Sequence, residues 1–175
     1  MLDLKNKNKL IFTLVGNINR TKNYYQFFKF LENTNLPIQI NVIGEILKNQ
    51  YHYFNKIKKI LDVNSIKVYF HGRKNKNFIK SKLSTTDLFF LPSLSEGTSI
   101  SMLEAMSMGS ICVVSKESNQ SKIIKNGKNG FVFDLDTKSF KKILNKIINL
   151  NYSEQKKIRK HARLTILNNN LKFKL

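Results

Sequence analysis

Phe89-Phe90-Leu91-Pro92-Ser93-Leu94-Ser95-Glu96-Gly97-Thr98-Ser99-Ile100-Ser101-Met102-Leu103-Glu104-Ala105-Met106 is the stretch that decides how the chain folds. Residues 87–91 form a short apolar run that Pro92 stops, so a buried strand is expected there. A polar loop follows, in which Gly97 permits a tight turn or a close approach of backbone to ligand. Thr98, Ser99 and Ser101 can each cap a helix, and residues 99–108 have the composition of one. A helix start carries unpaired N–H groups and the positive end of a dipole, so it attracts anions. Two carboxylates frame this start, Glu96 before it and Glu104 on its second turn, with seven residues between them. The layout suits a ligand with a phosphate at the helix start and hydroxyl groups nearby.

Outward from that stretch, Leu10-Ile11-Phe12-Thr13-Leu14-Val15 is an apolar run ending at Gly16, the pattern of a strand buried on both faces. Tyr24, Phe27, Phe28 and Leu31 follow at helical spacing. A second strand is predicted over 38–43, ending at Gly44, and a second helix carries Tyr53 or Phe54, Ile57, Ile60 and Leu61. A third strand over 66–70 ends at His71-Gly72, and Phe78, Ile79 and Leu83 mark a short third helix. After the fourth strand and helix come a strand over 111–114, a short helix or turn over 118–125 and a turn cluster over 126–130. Then follow a sixth strand over 131–133, a helix over 137–149 and a last helix to residue 168, capped by Ser153. This alternation predicts an α/β fold, a doubly wound parallel sheet of about six strands in a single domain. In such sheets ligands bind at the carboxyl ends of strands, which singles out the loops after Val15, Ile43, Phe70, Leu91 and Val114. Residues 1–9 read as a linker-like amino terminus, 10–168 as the domain and 169–175 as a frayed tail.

With 175 residues the chain is long enough for one domain with its own core, and an apolar fraction of 41% is that of a globular protein. The lone cysteine, Cys112, reads as a buried strand thiol, excludes an intramolecular disulfide, and joins no Cys/His cluster of the metal-binding kind. No apolar run approaches the roughly 20 residues of a membrane span. The polar start lacks the apolar block of a signal peptide, so a cytoplasmic protein is expected, at most lying at the inner face of the cell membrane. The formal charge of +20 would suit nucleic acid, anionic lipid or phosphorylated ligands. Lys, Asn and Ile are abundant together, as an AT-rich genome would give, and the positive charges are spread along the chain. Compositional bias therefore explains the charge better than a dedicated polyanion surface. His52 and His161 fall in helical stretches and read as surface residues.

The central stretch resembles the donor-site motif of the retaining GT-B glycosyltransferases, the large family often called group 1, or family 4. That motif runs Pro-Ser, a short gap, Glu-Gly, then a second Glu followed by Ala-Met and a Gly. Here it stands as Pro92-Ser93, Glu96-Gly97, Glu104-Ala105-Met106 and Gly109. The loop Gly16-Asn17-Ile18-Asn19-Arg20-Thr21-Lys22-Asn23 resembles the family's first donor loop, where Gly-Arg is followed by Lys and then Gly or Asn. Lys22 and Asn23 match; the Arg position is Asn17, with Arg20 in the same loop. His71-Gly72-Arg73 matches, at Gly72, a loop that in the family lies against the nucleobase. Residues 118–124 depart from the pattern, because the usual glycine pair is absent and Lys122 stands where Glu is usual. Residues 126–131 match well.

The resemblance implies a Rossmann-like donor domain, half of a GT-B fold, over roughly residues 10–165. The acceptor site and several catalytic contacts would come from an amino-terminal domain. Glu96 and Lys22 are the implied catalytic residues. Glu96 would contact the donor sugar's hydroxyls, and Lys22 would offset the diphosphate's charge. Gly16, Asn17, Gly72, Arg73, Gly97, Thr98, Ser99, Ile100 and Glu104 are the implied binding residues. Backbone N–H groups of residues 98–100 would meet the phosphates, and Glu104 the ribose hydroxyls. Each has a plainer reading: Lys22 a solvated helix-start lysine, Glu96 a partner of the helix dipole, Arg73 a surface arginine. Glu104 would also fit a capping box with Ser101.

The expected function is therefore that of a glycosyltransferase donor domain. It would bind a UDP- or GDP-sugar for retaining transfer to the hydroxyl of a glycan or lipid-linked acceptor. Surface glycan synthesis (lipopolysaccharide, capsule or exopolysaccharide) is the implied setting. No metal and no separate cofactor are implied, since a lysine and helix N–H groups neutralise the phosphates. A separate amino-terminal Rossmann-like half and a peripheral contact with anionic membrane are the further partners; nucleic acid is not expected. The alternative is a non-catalytic basic binding module, or a truncated inactive remnant, that binds anionic ligands. Its affinity would fall steeply with salt and ignore the sugar.

Overall fold

The computed structural model describes residues 3–63 and 66–168. Its strands are Leu10–Val15 (β1), Ile38–Ile43 (β2), Lys67–Phe70 (β3), Leu88–Leu91 (β4), Ile111–Ser115 (β5) and Phe131–Phe133 (β6). The α-helices are Tyr24–Phe30 (α1), Tyr51–Val63 (α2), Lys76–Ser84 (α3), Ile100–Met108 (α4), Thr137–Ile148 (α5) and Tyr152–Asn168 (α6). The six strands form one sheet in the order β3-β2-β1-β4-β5-β6, and every pairing in it is parallel. The strand order changes direction between β1 and β4, and their carboxyl ends make the crevice where such sheets take ligands.

The apolar runs of the central strands are continuous because each feeds two cores; the edge strand β3 is half-exposed, with Val68 and Phe70 against the first core alone. Along β4 and β5, Leu88, Phe90, Ile111 and Val113 belong to one core, and Phe89, Leu91, Cys112 and Val114 to the other. That is the two-residue alternation of a strand with no water on either side. The first core is aromatic. Phe27 lies 5.0 Å from Phe90 and Phe30 stacks at 5.2 Å on Phe140, centroid to centroid, which fixes α1 and α5 against the same sheet face. Burying each such ring is worth roughly 1.5–3 kcal/mol. The second core packs Leu83 of α3, Met102 and Met106 of α4 and Ala162 of α6 on the opposite face. Burial pushes the Cys112 thiol far above its usual range, as a strand thiol requires.

Helix α6 touches both cores, Ile158 in the first and Ala162 in the second. It passes beneath the amino ends of β4 and β5, where the Arg159 guanidinium donates to the carbonyls of Gly109 at 2.7 Å and Asp87 at 3.4 Å. Its start differs from the expected one. The Asn151 side chain accepts the N–H of Glu154 at 3.0 Å, while the Glu154 carboxylate accepts that of Asn151 at 2.8 Å. This reciprocal capping box begins the helix at Tyr152 and leaves Ser153 inside it. Residues 118–125 are turns, with Lys122 in the left-handed region at φ 50°. In the lead-in stretch Leu4 is buried, and Lys7 reaches Asp87 at 2.5 Å. The other oxygen of Asp87 accepts the N–H of Ile11 at 3.0 Å. The tail expected over 169–175 lies outside the described residues.

Candidate functional site

The loops after β1 and β4 meet at the crevice. The N–H of Leu94 donates to the carbonyl of Thr21 at 2.8 Å, which ties the two loops together. Their side chains then converge: the Lys22 ammonium pairs with Glu96 Oε1, and the Ser93 hydroxyl donates to the same oxygen at 3.0 Å. The Asn19 side chain accepts the N–H of Lys22 at 2.9 Å and holds that loop in shape. Residues 74 apart in sequence thus form one charged centre.

A floor of backbone supports this centre. Tyr24 is fully buried, and its hydroxyl donates to the Gly16 carbonyl at 3.1 Å. Burial first, then the negative charge of Glu96, drives that phenol's pKa far up, so it remains a donor. Three glycines end β1, β2 and β3 side by side. The N–H of Gly16 donates to the Ile43 carbonyl at 2.8 Å, and that of Gly44 to the Gly72 carbonyl at 2.9 Å. A β-carbon on Gly44 would stand 2.0 Å from the Gly16 carbonyl oxygen. A β-carbon on Gly16 would instead meet the end of the Lys22 side chain, at 2.9 Å.

Helix α4 opens onto the same place. Ser99 is its cap, the hydroxyl oxygen accepting the N–H of Met102 at 3.4 Å. Ser101 lies inside the helix and donates to the Val15 carbonyl at 3.2 Å, which pins the helix start to the end of β1. The capping box between Ser101 and Glu104 is therefore not formed, and Glu104 is left for another role. Thr98 and Ile100 are exposed at the opening. Below, the Ser115 hydroxyl donates to the Ser93 carbonyl at 2.6 Å, and Ser118 Oγ lies 3.1 Å from the carbonyls of Leu91 and Ser93. Gly97 is exposed, and a β-carbon there would meet nothing within 4 Å. Neither crowding nor a left-handed backbone calls for glycine here. Gly97→Ala should keep the parent's melting temperature within about 2 °C while weakening nucleotide-sugar binding; an unchanged affinity would leave this glycine without a role.

The structure gathers Lys22, Glu96, Gly16, Gly97 and the α4 opening at one crevice, with Gly72 joined through Gly44. Other candidates stand apart. Asn17 is exposed, and its side-chain oxygen accepts the N–H of Glu45 at 3.4 Å. Arg20 is exposed and close enough for its charge to lower the Tyr53 hydroxyl's pKa, against the larger effect of burial, which raises it. Arg73 is exposed beyond β3, and beside it His71 Nε2 sits 2.9 Å from the Asn41 side-chain oxygen. Burial, then Lys82 and Lys74, holds that imidazole below its ordinary pKa. Tyr24, Ser93, Ser115 and Ser118 carry site structure that the sequence reading assigned no role. For Ser93 and Ser115 the available signal was a polar residue at the end of an otherwise apolar strand.

Glu104 is half-buried, and desolvation raises its pKa against the opposing pull of Lys76 and Lys80 on α3. The folded state thus holds this proton more tightly than the unfolded chain does. The group favours the fold below its unfolded pKa and loses that advantage as pH rises through the folded one. Glu104→Gln removes the penalised anion. The variant should be at least as stable as the parent near neutral pH, with the difference shrinking on acidification, and should bind nucleotide more weakly throughout. Urea melts across pH would show it; a clearly less stable variant at neutral pH would make the carboxylate structural instead.

Residues 3–165 match the family described as Glycosyl transferases group 1. An Escherichia coli protein, UDP-Gal:alpha-D-GlcNAc-diphosphoundecaprenol alpha-1,3-galactosyltransferase, is 32% identical over 147 residues, which is 78% of this chain and 35% of that protein. The chain thus spans about a third of that relative's length. Among solved structures, the C-terminal domain of a group 1 family protein (LpcC) from Francisella tularensis superposes with a TM-score of 0.80 at 18% identity, over 92% of this chain and 86% of that one. Anabaena HepE, solved with UDP and glucose, gives 0.81 at 17% identity, over 91% of this chain and 44% of that one. At these identities the structural matches speak for the fold alone.

Proposed function

The chain belongs to the group 1 glycosyl transferases, and from that premise we propose that it is the donor-binding half of a retaining glycosyltransferase. Its crevice between β1 and β4 takes a nucleoside-diphosphate sugar. The carrying observation is the convergence of Lys22 and Glu96 on the opening of α4. The diphosphate lies at that opening, against Lys22 and the backbone N–H groups of residues 98–100. When the bond from the anomeric carbon to the diphosphate breaks, the leaving group gains negative charge where these donors stand. The new bond forms to the acceptor's hydroxyl oxygen, whose proton passes to the departing diphosphate oxygen. Glu96 holds sugar hydroxyls, and Glu104, free of any capping duty, holds the ribose.

The Escherichia coli relative is named for UDP-Gal and a diphosphoundecaprenol-linked acceptor. UDP-galactose is accordingly the first donor to test, and a lipid-linked glycan the first acceptor, in surface glycan synthesis. The acceptor side would be completed by an amino-terminal Rossmann-like half. Thermal melts of the chain with UDP, GDP and their sugars test the reading. A ligand at about 100 times its dissociation constant stabilises by about 2.7 kcal/mol. No shift with any nucleotide sugar at millimolar concentration would overturn it.

A further inference from the structure

Away from the crevice, a cavity of about 560 Å³ opens along α6, where that helix contributes Tyr152, Lys156, Lys160, Arg163, Leu164 and Leu167 to its lining. A second cavity, about 700 Å³, continues from Leu164 and adds Lys122, Lys125 and Lys128. Among the described residues no aspartate or glutamate lines either one. At 3.6 residues per turn, Tyr152, Lys156, Lys160, Arg163 and Leu167 fall on one stripe of the helix. The stripe mixes cations with uncovered apolar groups: Tyr152 is 43% exposed, Leu164 38% and Leu167 71%. Lys156, Lys160 and Arg163 thus adjoin Lys122, Lys125 and Lys128 across two neighbouring cavities.

We propose that this face of α6 is a docking surface for an anionic phospholipid bilayer. Lipid phosphates would sit over the lysines and Arg163, and Leu164, Leu167 and Tyr152 would enter the boundary between headgroups and acyl chains. Charge complementarity selects an anionic partner, and the aliphatic side chains select among anions. Leucines interspersed with lysines gain nothing from a sugar-phosphate backbone but bury apolar area in a bilayer interface. The position fits as well. Arg159, one turn from these residues, binds the carbonyls of Asp87 and Gly109, which precede β4 and β5. The first cavity therefore lies at the amino ends of β4 and β5, away from the crevice between the carboxyl ends of β1 and β4. This inference is independent of the sugar chemistry.

Co-sedimentation of the 175-residue chain with phosphatidylcholine vesicles, with and without phosphatidylglycerol, tests it. Binding should require phosphatidylglycerol and fall with salt. The exposed pair Lys156→Glu/Lys160→Glu should lose about tenfold or more in affinity. Leu164→Ser/Leu167→Ser should weaken binding severalfold at an unchanged melting temperature. Lys56→Glu/Lys59→Glu on α2, equally exposed and carrying the same charge change, should retain most of it. Equal loss in that α2 pair would make net charge the cause and overturn the proposal, as would binding to neutral vesicles alone or no binding to either. Full binding by the leucine variant, with competition by a single-stranded oligonucleotide, would assign the face to nucleic acid and overturn it too.

Discussion

Gly44→Ala should cost the domain about 4 kcal/mol, among the largest effects of any single substitution in it. The added carbon would stand 2.0 Å from the carbonyl oxygen of Gly16 and 2.9 Å from the amide nitrogen of Asn17. Those neighbours are backbone and cannot swing aside. Relief would require the ends of β1 and β2 to part, which breaks the Gly16–Ile43 bond at 2.8 Å and the Ile18–Glu45 bond at 2.8 Å. The residue's φ of 154° adds strain for any side chain. Urea denaturation would measure the loss; a change under about 1 kcal/mol would show that the strand ends are softer than drawn. Gly16→Ala makes an informative contrast. Its obstacle is the flexible end of Lys22, so its principal effect should be a displaced ammonium and poorer nucleotide binding.

Lys22→Ala should weaken nucleotide-sugar binding by about ten- to a hundredfold, the loss of one charge-assisted hydrogen bond to a phosphate at 1.5–3 kcal/mol. Asn17 uses its side-chain oxygen on Glu45, so under the proposed reading Lys22 is the cation that meets the diphosphate. The variant should also lose some stability, because Glu96 keeps only the Ser93 hydroxyl while its side chain is 17% exposed. Lys22→Ala/Glu96→Ala should recover much of that stability and none of the binding, a cycle that separates the pair's two roles. Isothermal titration with UDP and a donor sugar reads the affinities. Parent-like binding by Lys22→Ala would remove the lysine from the site.

The fold was legible because the central strands are flanked by apolar groups on both sides. Runs such as 10–15 and 111–114 have no competing reading once turns and helical stripes separate them. The opening of α4 and the glutamate before it were legible for a related reason, since both are local in sequence. The identity of the α4 cap was not: Thr98, Ser99 and Ser101 are chemically alike, and only the approach of Val15 draws Ser101 away from capping. Nor could the chain announce that Asn151 starts α6, because Ser153 is equally good by type. Tyr24 read as part of an apolar stripe, and its hydroxyl gains meaning only from the Gly16 carbonyl across the floor.

The buried hydroxyls of Ser115 and Ser118 grip the backbone under Ser93, and this has a bearing on movement. A segment stitched to its own sheet from underneath is poorly suited to act as a flap. If turnover requires the guest to be enclosed, the enclosing travel belongs to parts other than this shelf, which already has its final shape.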